Sequence, residues 1–362
     1  MGEPLRIGVV GIGSISGTYL RTLARMPHLR VTRLADLSPD RARAGLAHAP
    51  DARAVSVAEL MDSADVDLVL NLTTPAAHAK VGQAALAAGK HLYGEKPLAL
   101  DLDQARAVLA GAAGRRIGNA PDTALGTGTQ TARRAIEDGL IGTPVAANAA
   151  FVTAGHESWH PDPDFYYQPG GGPLFDMGPY YLTSLVHLLG PVRRVTGMSS
   201  RSRAERVIGR GQRAGSRIPV EVETHVAGLL EHESGAVTAL LTSFDVVASR
   251  QPDIEVHGSD GSLLVPDPND FGGTVRLRRA DGQDWSELPA SAGYQDGGRG
   301  IGVADLATAL AAGRPHRASA ELALHVLDIM QSLLVAAREQ ASVAIGSPGP
   351  VPDLVPLGRS DA

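Results

Sequence analysis

The sequence predicts an α/β protein in which a doubly wound parallel sheet is followed by an α+β domain with a mostly antiparallel, open sheet. Three observations lead to this fold class. Apolar strands alternate with helical segments up to about residue 118, as in parallel sheets. Beyond residue 219, apolar runs follow one another through short turns, which is typical of antiparallel strands. A chain of 362 residues also exceeds one ordinary core, so we expect domains at residues 1–120 and 121–362.

Composition excludes several classes of function. The formal net charge of −6 disfavours a nucleic acid or an anionic membrane as partner. The absence of cysteine excludes disulfides, thiolate catalysis and zinc-thiolate sites. The first residues lead straight into a strand, and no apolar run reaches the ~20 residues of a membrane span. We therefore expect a cytoplasmic protein.

The first element, residues 5–10, is an apolar strand that leads into a glycine-rich turn. Gly11 permits the tight turn, and Gly13 lets a pyrophosphate approach the backbone of Ser14 and Ile15 at the start of the next helix. Ser16 stands where a third glycine or an alanine is usual. The turn alone is a weak signal for a dinucleotide site.

The second strand strengthens that signal. It covers residues 31–35 and ends at Asp36, about 20 residues beyond the turn, where the ribose-binding acid of a dinucleotide fold stands. A carboxylate there binds ribose hydroxyls and repels a 2′-phosphate, so we predict NAD in preference to NADP. The alternative is that Asp36 only opens the turn with Ser38 and Pro39.

Polar residues also follow the next strand, residues 66–70. We expect them to face the same crevice and contact the cofactor, because ligands bind at the carboxyl ends of strands in open α/β sheets. They are Asn71, Thr73, Thr74 and Pro75, with His78 on the helix that follows. Two capping pairs, Ser56 with Glu59 and Asp101 with Gln104, predict further helix starts.

The step Gly94-Glu95-Lys96-Pro97 follows a strand predicted at residues 90–93. Lys96 then lies at a strand's carboxyl end, where it is a candidate for catalysis and for contacts with cofactor and substrate. We place Glu95 with it in the cofactor site. The alternative is a solvated lysine before a turn-forming proline.

Aromatic residues are concentrated in one stretch of the second half. Eight of the chain's fourteen lie between residues 151 and 181, in and around a long loop at residues 153–173. Such a loop is usually functional, and its rings suit the apolar face of a ring-shaped substrate. We expect substrate contacts there from Trp159, His160, Tyr166 and Tyr167. The alternative is a satellite core beneath the loop.

Residues 156–160 of this loop also match the zinc-protease pattern H-E-x-x-H. That pattern binds zinc only on a helix, where both histidines share one face. Gly155 precedes it, and Pro161 and Pro163 follow, which leaves no room for a stable helix. We therefore expect no metal site.

A glycine-rich segment, residues 170–172, precedes a helix that continues to about residue 189. Asp176, Tyr180 and Thr183 stand at positions i, i+4 and i+7, and so share one face of it. Tyr181 reads as core.

The order of these landmarks resembles one enzyme family. The chain is similar to the glucose-fructose oxidoreductase and inositol dehydrogenase family, often written Gfo/Idh/MocA, in five features. They are the glycine turn, Asp36, the Thr74-Pro75 step with His78, the Gly94-Glu95-Lys96-Pro97 step, and the glycine-rich segment before Asp176. The resemblance implies an N-terminal Rossmann domain, NAD-dependent oxidation of a CH-OH group, and a homodimer or homotetramer formed through the open sheet face.

Two positions depart from inositol dehydrogenases. Tyr180 stands where those enzymes have histidine, and Thr183 where they have a second aspartate. The chain more closely resembles branches that use tyrosine with the lysine, such as dihydrodiol dehydrogenase. Oxidising a carbinol needs a base, and a tyrosine with an ordinary pKa near ~10 needs a cation to stabilise its phenolate. We assign Tyr180 as acid/base, Lys96 as that cation, and Asp176 to orient Lys96 or a substrate hydroxyl, or else to cap the helix.

The remaining segments carry weaker signals. Residues 201–217 hold six arginines, which suit an anionic substrate or a neighbouring subunit, but a solvated loop is the favoured interpretation. The following strand, predicted at residues 220–230, carries His225, a candidate substrate contact or a structural histidine. A helix at residues 320–339 has an apolar stripe and is assigned to the core.

Taken together, these features predict an NAD-dependent oxidoreductase that acts on a ring carbinol of a sugar, glycoside or related polyol. One alternative is an NAD-dependent glycosidase that oxidises, eliminates and re-reduces with the same residues. The other is a non-catalytic sugar or nucleotide sensor, which an intact lysine and glycine turn disfavour.

Overall fold

The computed structural model describes residues 3–359, which form two compact units. Within that range the first unit holds residues 3–127, 292–324 and 352–359, and the second holds residues 128–291 and 325–351. The first unit thus includes two late segments that the sequence analysis gave to the second domain.

The first unit contains a six-stranded sheet. Its strands are β1 (Leu5–Val10), β2 (Leu29–Ala35), β3 (Arg53–Val55), β4 (Leu68–Asn71), β5 (His91–Gly94) and β6 (Ile117–Asn119). They lie in the order β3-β2-β1-β4-β5-β6, and every neighbouring pair is parallel. β1 lies in the middle of the sheet, and its side chains Ile7 and Val9 are fully buried. The predicted doubly wound parallel sheet is confirmed.

Helices follow the strands in alternation. They are α1 (Ser16–Leu23), α2 (Pro39–Gly45), α3 (Val57–Asp62), α4 (Pro75–Ala87) and α5 (Leu102–Ala110). Both predicted capping pairs are confirmed, since the Ser56 and Asp101 side chains accept from the backbone N–H groups of Glu59 and Gln104.

The second unit holds α6 (Thr127–Glu137) from residue 128 onward and is built on a nine-stranded sheet. Its strands are β7 (Pro144–Val152), β8 (Val192–Ser200), β11 (His225–His232), β12 (Val237–Ser243), β13 (Ile254–Gly258), β14 (Gly261–Val265), β15 (Val275–Arg279), β16 (Ser286–Leu288) and β17 (Val343–Ala344). The order is β16-β15-β14-β13-β7-β12-β11-β8-β17. The pair β7/β12 is parallel and the others are antiparallel, as predicted for a mostly antiparallel sheet.

One helix covers the inner face of this sheet. It is α7 (Gly172–Leu189), which packs against β7, β11 and β12 and buries nearly all of its side chains. On the opposite face Met198 is 79% exposed and Leu229 49% exposed. The sheet is therefore open on one side, as the sequence analysis expected.

Two predictions in this unit are wrong. The strand predicted at residues 220–230 begins only at His225, because the N–H groups of Val220 and Glu221 bond to the carbonyl groups of Ala204 and Tyr167, outside the nine-stranded sheet. The arginine-rich segment is not simply a solvated loop, since it forms the two-stranded sheet of β9 (Glu205–Val207) and β10 (Arg217–Pro219).

Two late helices complete the chain, α8 (Ile301–Ala312) in the first unit and α9 (Ala320–Glu339). In the part of the chain that the structure describes, α9 alone is long and apolar enough to pass a membrane-span test, with a mean hydropathy of 1.5 and 61% of the tested window buried. Its Asp328 is 4% exposed and accepts from the N–H groups of Gly346 and Ser347. These contacts are those of a core helix, as predicted.

Candidate active site

The turn between β1 and α1 is shaped for a close backbone approach. Gly11 has φ +96°, and a Cβ there would lie 2.7 Å from the backbone of Leu72. Gly13 and Ser14 are exposed, and a Cβ on Gly13 would meet nothing within 4 Å. The Ser16 hydroxyl donates to the Gly13 carbonyl at 2.7 Å, so the residue at the third position of the motif closes the turn. No acidic residue lies in the first turn of α1. This arrangement suits the pyrophosphate of a dinucleotide.

Asp36 lies just after β2 and accepts three hydrogen bonds. Its Oδ1 accepts from Ser38 N at 2.8 Å and from Arg41 Nε at 3.0 Å, and its Oδ2 accepts from Ile12 N at 2.8 Å. Burial acts to raise the pKa of Asp36, but the Ser38 and Ile12 N–H groups and the Arg41 guanidinium together lower it. The turn contact that sequence analysis gave as the alternative is therefore present. Oδ2 has a single donor, which leaves it acceptor capacity for a ribose hydroxyl.

The polar residues at the end of β4 and just after it are hydrogen-bonded to one another. Asn71 is 1% exposed; its Oδ1 accepts from the Thr73 hydroxyl at 2.6 Å and its Nδ2 donates to the His78 carbonyl at 3.1 Å. The ring nitrogens of His78 lie 2.6 Å from Pro97 O and 2.9 Å from Thr73 O. Burial lowers the pKa of His78. Asn71 and His78 thus fix the shape of this loop, while Thr74 and Pro75 begin α4.

The step after β5 is braced in the same way. Glu95 is 8% exposed and accepts from the Tyr19 hydroxyl at 2.7 Å and from Lys96 N at 3.0 Å. The Asn119 amide donates to the carbonyls of Gly94 and Glu95, each at 3.0 Å. Glu95 therefore holds the backbone of Lys96 in place, and its role as a direct cofactor contact stays a prediction.

In the second unit, α7 carries the other candidate catalytic residues. Asp176 and Tyr180 lie one turn apart on this helix, and the Tyr180 side chain is buried. Oδ2 of Asp176 lies 2.9 Å from His156 Nε2. Tyr181 is 1% exposed and donates to Asp253 at 3.2 Å, which confirms its place in the core.

The aromatic stretch divides into an inner and an outer part. Tyr167 is fully buried in a core with Ile208, Ile218, Val220 and Phe244, and its hydroxyl donates to Glu157. We therefore withdraw Tyr167 from the candidate substrate contacts.

The outer part remains accessible. Trp159 is 51% and Phe165 48% exposed. The His160 ring contacts the rings of Trp159, Phe165 and Tyr166 at centroid distances of 5.4 to 5.5 Å. His225, at the start of β11, is half-buried, and its Nδ1 lies 3.0 Å from the Ser243 hydroxyl. The satellite core and the exposed aromatic surface are both present.

The H-E-x-x-H match does not form an α-helix, as its flanking residues predicted. Only His156–Ser158 are helical, in a single 3-10 turn. Within residues 3–359, no group of three histidine, aspartate or glutamate side chains is placed to hold a metal ion. Glu157 instead pairs with Arg206 at 2.9 Å.

Arg206 was predicted to lie in a solvated loop, but the structure buries it. Its side chain is 1% exposed and pairs with both Glu157 and Asp245, and it also donates to the carbonyls of Ala154 and Phe244. It anchors the β9/β10 sheet to the aromatic loop. His156 was missed as well, because its partner Asp176 lies 20 residues away and no local spacing joins them.

The candidate residues thus fall into two sets. One set follows β1, β2, β4 and β5 in the first unit, and the other occupies α7 and the aromatic loop of the second. The first set has the glycine turn, open phosphate position and acceptor carboxylate that a dinucleotide requires.

Comparisons with known proteins agree with this geometry. A family model described as an oxidoreductase family with an NAD-binding Rossmann fold matches residues 5–116, and the Gfo/Idh/MocA C-terminal domain model matches residues 129–264. A dTDP-3,4-didehydro-2,6-dideoxy-alpha-D-glucose 3-reductase from Streptomyces antibioticus is 31% identical over 305 residues, covering 80% of this chain and 85% of that protein. A 1,5-anhydro-D-fructose reductase from Ensifer adhaerens is 29% identical over 294 residues, covering 78% of this chain and 82% of that protein.

Solved structures share the fold. Levoglucosan dehydrogenase in complex with NADH and L-sorbose superposes with a TM-score of 0.81 at 20% identity, over 96% of this chain and 100% of that one. An NAD-binding oxidoreductase from Klebsiella pneumoniae gives a TM-score of 0.82 at 23% identity, over 95% and 100% of the two chains. The family models span both halves of the chain and confirm the predicted NAD-binding Rossmann domain. The chain belongs to the Gfo/Idh/MocA family of NAD-binding oxidoreductases.

Proposed function

We propose that this protein transfers a hydride between NAD and a ring carbinol of a sugar, glycoside or related polyol. The observation that carries the proposal is the site in the first unit, where the glycine turn, Asp36 and the braced Lys96 all follow parallel strands. Both curated relatives described above are named as reductases of sugar compounds. The exposed rings of Trp159 and Phe165 offer an apolar surface on which a pyranose ring would rest.

The cofactor fits the residues of the first unit. Backbone N–H groups at the start of α1 would hold the pyrophosphate, and Oδ2 of Asp36 would accept from a ribose hydroxyl. Bound NAD would supply the hydride acceptor. Thr73, Thr74 and Pro75 would line the same site, while Asn71 and His78 hold that loop in shape.

Proton transfer would fall to three side chains. We assign Tyr180 as the acid/base, Lys96 as the cation that stabilises its phenolate, and Asp176 as the group that orients Lys96 or a substrate hydroxyl. An acid/base residue of this kind contributes about 10²- to 10⁴-fold in rate. Tyr166, His160, Trp159 and His225 remain proposed substrate contacts.

The rest of the proposal concerns subunit assembly and location in the cell. The open face of the nine-stranded sheet has a groove of about 680 Å³ lined largely by small and apolar residues, among them Ala150, Leu229 and Leu241. We propose that this face forms the interface of a homodimer or homotetramer, and that the protein acts in the cytoplasm.

The test is to mix the purified protein with excess NAD and a panel of pyranoses, glycosides and polyols, and to follow NADH absorbance together with sugar release. Continuous accumulation of NADH is the expected result and identifies the substrate class. Sugar release without net NADH would replace the proposal with a glycosidase that recycles its cofactor. Silence in both assays, with NAD bound, would favour a sensor.

A further inference from the structure

Two residues of the aromatic loop, His156 and Glu157, have no role in the function proposed above, yet their side chains are tightly placed. His156 is 8% exposed, and its Nε2 lies 2.9 Å from Oδ2 of Asp176. Glu157, the next residue, pairs instead with the buried Arg206. Two adjacent side chains therefore point to different partners, and one of these partners is a proposed catalytic residue.

Trp159 determines which nitrogen of His156 carries the proton. The indole Nε1 lies 3.3 Å from His156 Nδ1 and donates to it. An indole N–H can only donate, so Nδ1 must accept and cannot carry a hydrogen. The hydrogen of the neutral ring is then on Nε2, which donates to the Asp176 carboxylate.

The ring of His156 is also held by packing. Its centroid lies 4.5 Å from that of Tyr166, 4.6 Å from Phe244 and 5.1 Å from Trp159. The neighbouring Glu157 is anchored by Arg206, whose side chain is 1% exposed. The imidazole packs against three rings and its turn is anchored by an ion pair, and both contacts favour the observed direction of the hydrogen bond to Asp176.

We propose that His156 is the positioning residue of Asp176 and that Trp159 and Asp176 together set its tautomer. His156 would aim the Asp176 carboxylate by donating from Nε2, without contacting the reacting atoms itself. Trp159 is 51% exposed, so the indole that fixes the tautomer also forms part of the surface on which a ring-shaped substrate would rest. The inference rests on the proposed function, because aiming Asp176 matters to turnover only if Asp176 takes part in it.

The kinetic test compares His156→Gln, which keeps an N–H donor, with His156→Leu, which does not. Misplacing a catalytic group costs about 100-fold in rate. We expect His156→Leu to lower kcat by about that factor with an unchanged Kd for NAD, and His156→Gln to recover at least about a tenth of wild-type kcat. A residue that served only packing would lower the melting temperature in both variants and leave kcat of the folded fraction unaltered, which would overturn the proposal.

The spectroscopic test needs no substrate. Nitrogen-15 NMR of histidine-labelled protein should show one histidine, absent from His156→Leu, locked as the Nε2–H tautomer. Trp159→Phe should shift the Nδ1 resonance of that histidine, which loses its indole donor, and Asp176→Asn should shift the Nε2 resonance. If neither variant altered the signal, the proposal would be wrong. Wild-type protein that oxidised no sugar would count against the proposed function, while these NMR signals would still decide the placement of His156.

Discussion

At the scale of single residues, Asp36 illustrates how one side chain serves both structure and specificity. It closes the turn through Ser38 N, fixes the glycine loop through Ile12 N, and holds Arg41 in an ion pair at 2.9 Å. Its negative charge opposes a 2′-phosphate while its neighbour Arg41, 61% exposed, would attract one. The predicted preference for NAD over NADP therefore depends on the Asp36 carboxylate.

We predict that Asp36→Ser shifts cofactor preference towards NADP. Loss of the carboxylate removes the repulsion and releases the Arg41 guanidinium, so the ratio of kcat/KM for NAD to that for NADP should fall by at least about 10-fold, or about 1.4 kcal/mol. Steady-state kinetics with both cofactors measures it. The control is Asp40→Ser, whose side chain is 88% exposed and pairs with Arg43. An unchanged ratio in Asp36→Ser would remove Asp36 from cofactor selection.

A second prediction concerns the proposed proton transfer. Tyr180→Phe and Lys96→Ala should each lower kcat by about 10²- to 10⁴-fold, with little change in the Kd for NAD measured by calorimetry. Tyr181→Phe is a matched control one residue away, since its hydroxyl bonds to Asp253 and takes no part in the proposed chemistry. Near-normal turnover in either of the first two variants would exclude that residue from the mechanism.

At the scale of elements, the aromatic loop is held by a buried ionic cluster. Arg206 on β9 pairs with Glu157 and Asp245, and the guanidinium also lies 5.4 Å from the ring of Tyr167. These groups fasten the β9/β10 sheet to the base of the loop that carries Trp159. The loop is long but not loosely attached.

We predict that Arg206→Met destabilises the protein by about 3 to 5 kcal/mol, because two carboxylates would stay buried without their cation. Urea unfolding followed by circular dichroism measures the change. Arg217→Met should alter stability by less than about 1 kcal/mol, since Arg217 and its partner Glu205 are 71% and 53% exposed. Equal effects of the two substitutions would show that the Arg206 cluster stabilises the protein no more than an exposed ion pair does.

The sequence predicts features that depend on interactions between neighbouring residues. It does not predict contacts between residues far apart in the chain. The glycine turn, Asp36 and the capping pairs are local, so residue spacing identified them, and β1 was placed with its observed ends. Arg206 lies 49 and 39 residues from its two carboxylates, and a run of arginines gives no sign of such partners. The early residues of the predicted strand 220–230 bond to the distant segments of Ala204, Tyr167 and Ser200. Contacts between segments that are distant in the chain produce no periodic pattern in the sequence.

At the scale of the whole molecule, the first unit is completed by a segment from late in the chain. Asp122 is fully buried, and its Oδ2 accepts from Gly300 N at 2.7 Å and Gly302 N at 3.0 Å, at the start of α8. Burial raises the pKa of Asp122 to about 6, despite these two donors. The contact joins residues 178 and 180 apart, so it exists only in the folded chain.

This pKa predicts a pH dependence of stability. The folded carboxyl holds its proton more firmly than the unfolded one, whose ordinary pKa is 3.8, so its contribution is complete below about pH 4 and is lost as pH rises through about 6. The loss amounts to about 3 kcal/mol. The unfolding free energy of wild type minus that of Asp122→Asn should fall by about this amount between pH 4 and pH 7. Asp103→Asn, 98% exposed, should show no such trend. Parallel curves for wild type and Asp122→Asn would refute the assignment.

Hydride transfer from a ring carbinol to NAD can be followed by transfer of an isotope. A sugar that the panel identifies, deuterated at its ring carbons, would be incubated with the protein and NAD, and the recovered nicotinamide examined by mass spectrometry. We expect NADH that carries one deuterium, formed by wild type and not by Tyr180→Phe. Turnover of the sugar with no deuterium in the nicotinamide would contradict it.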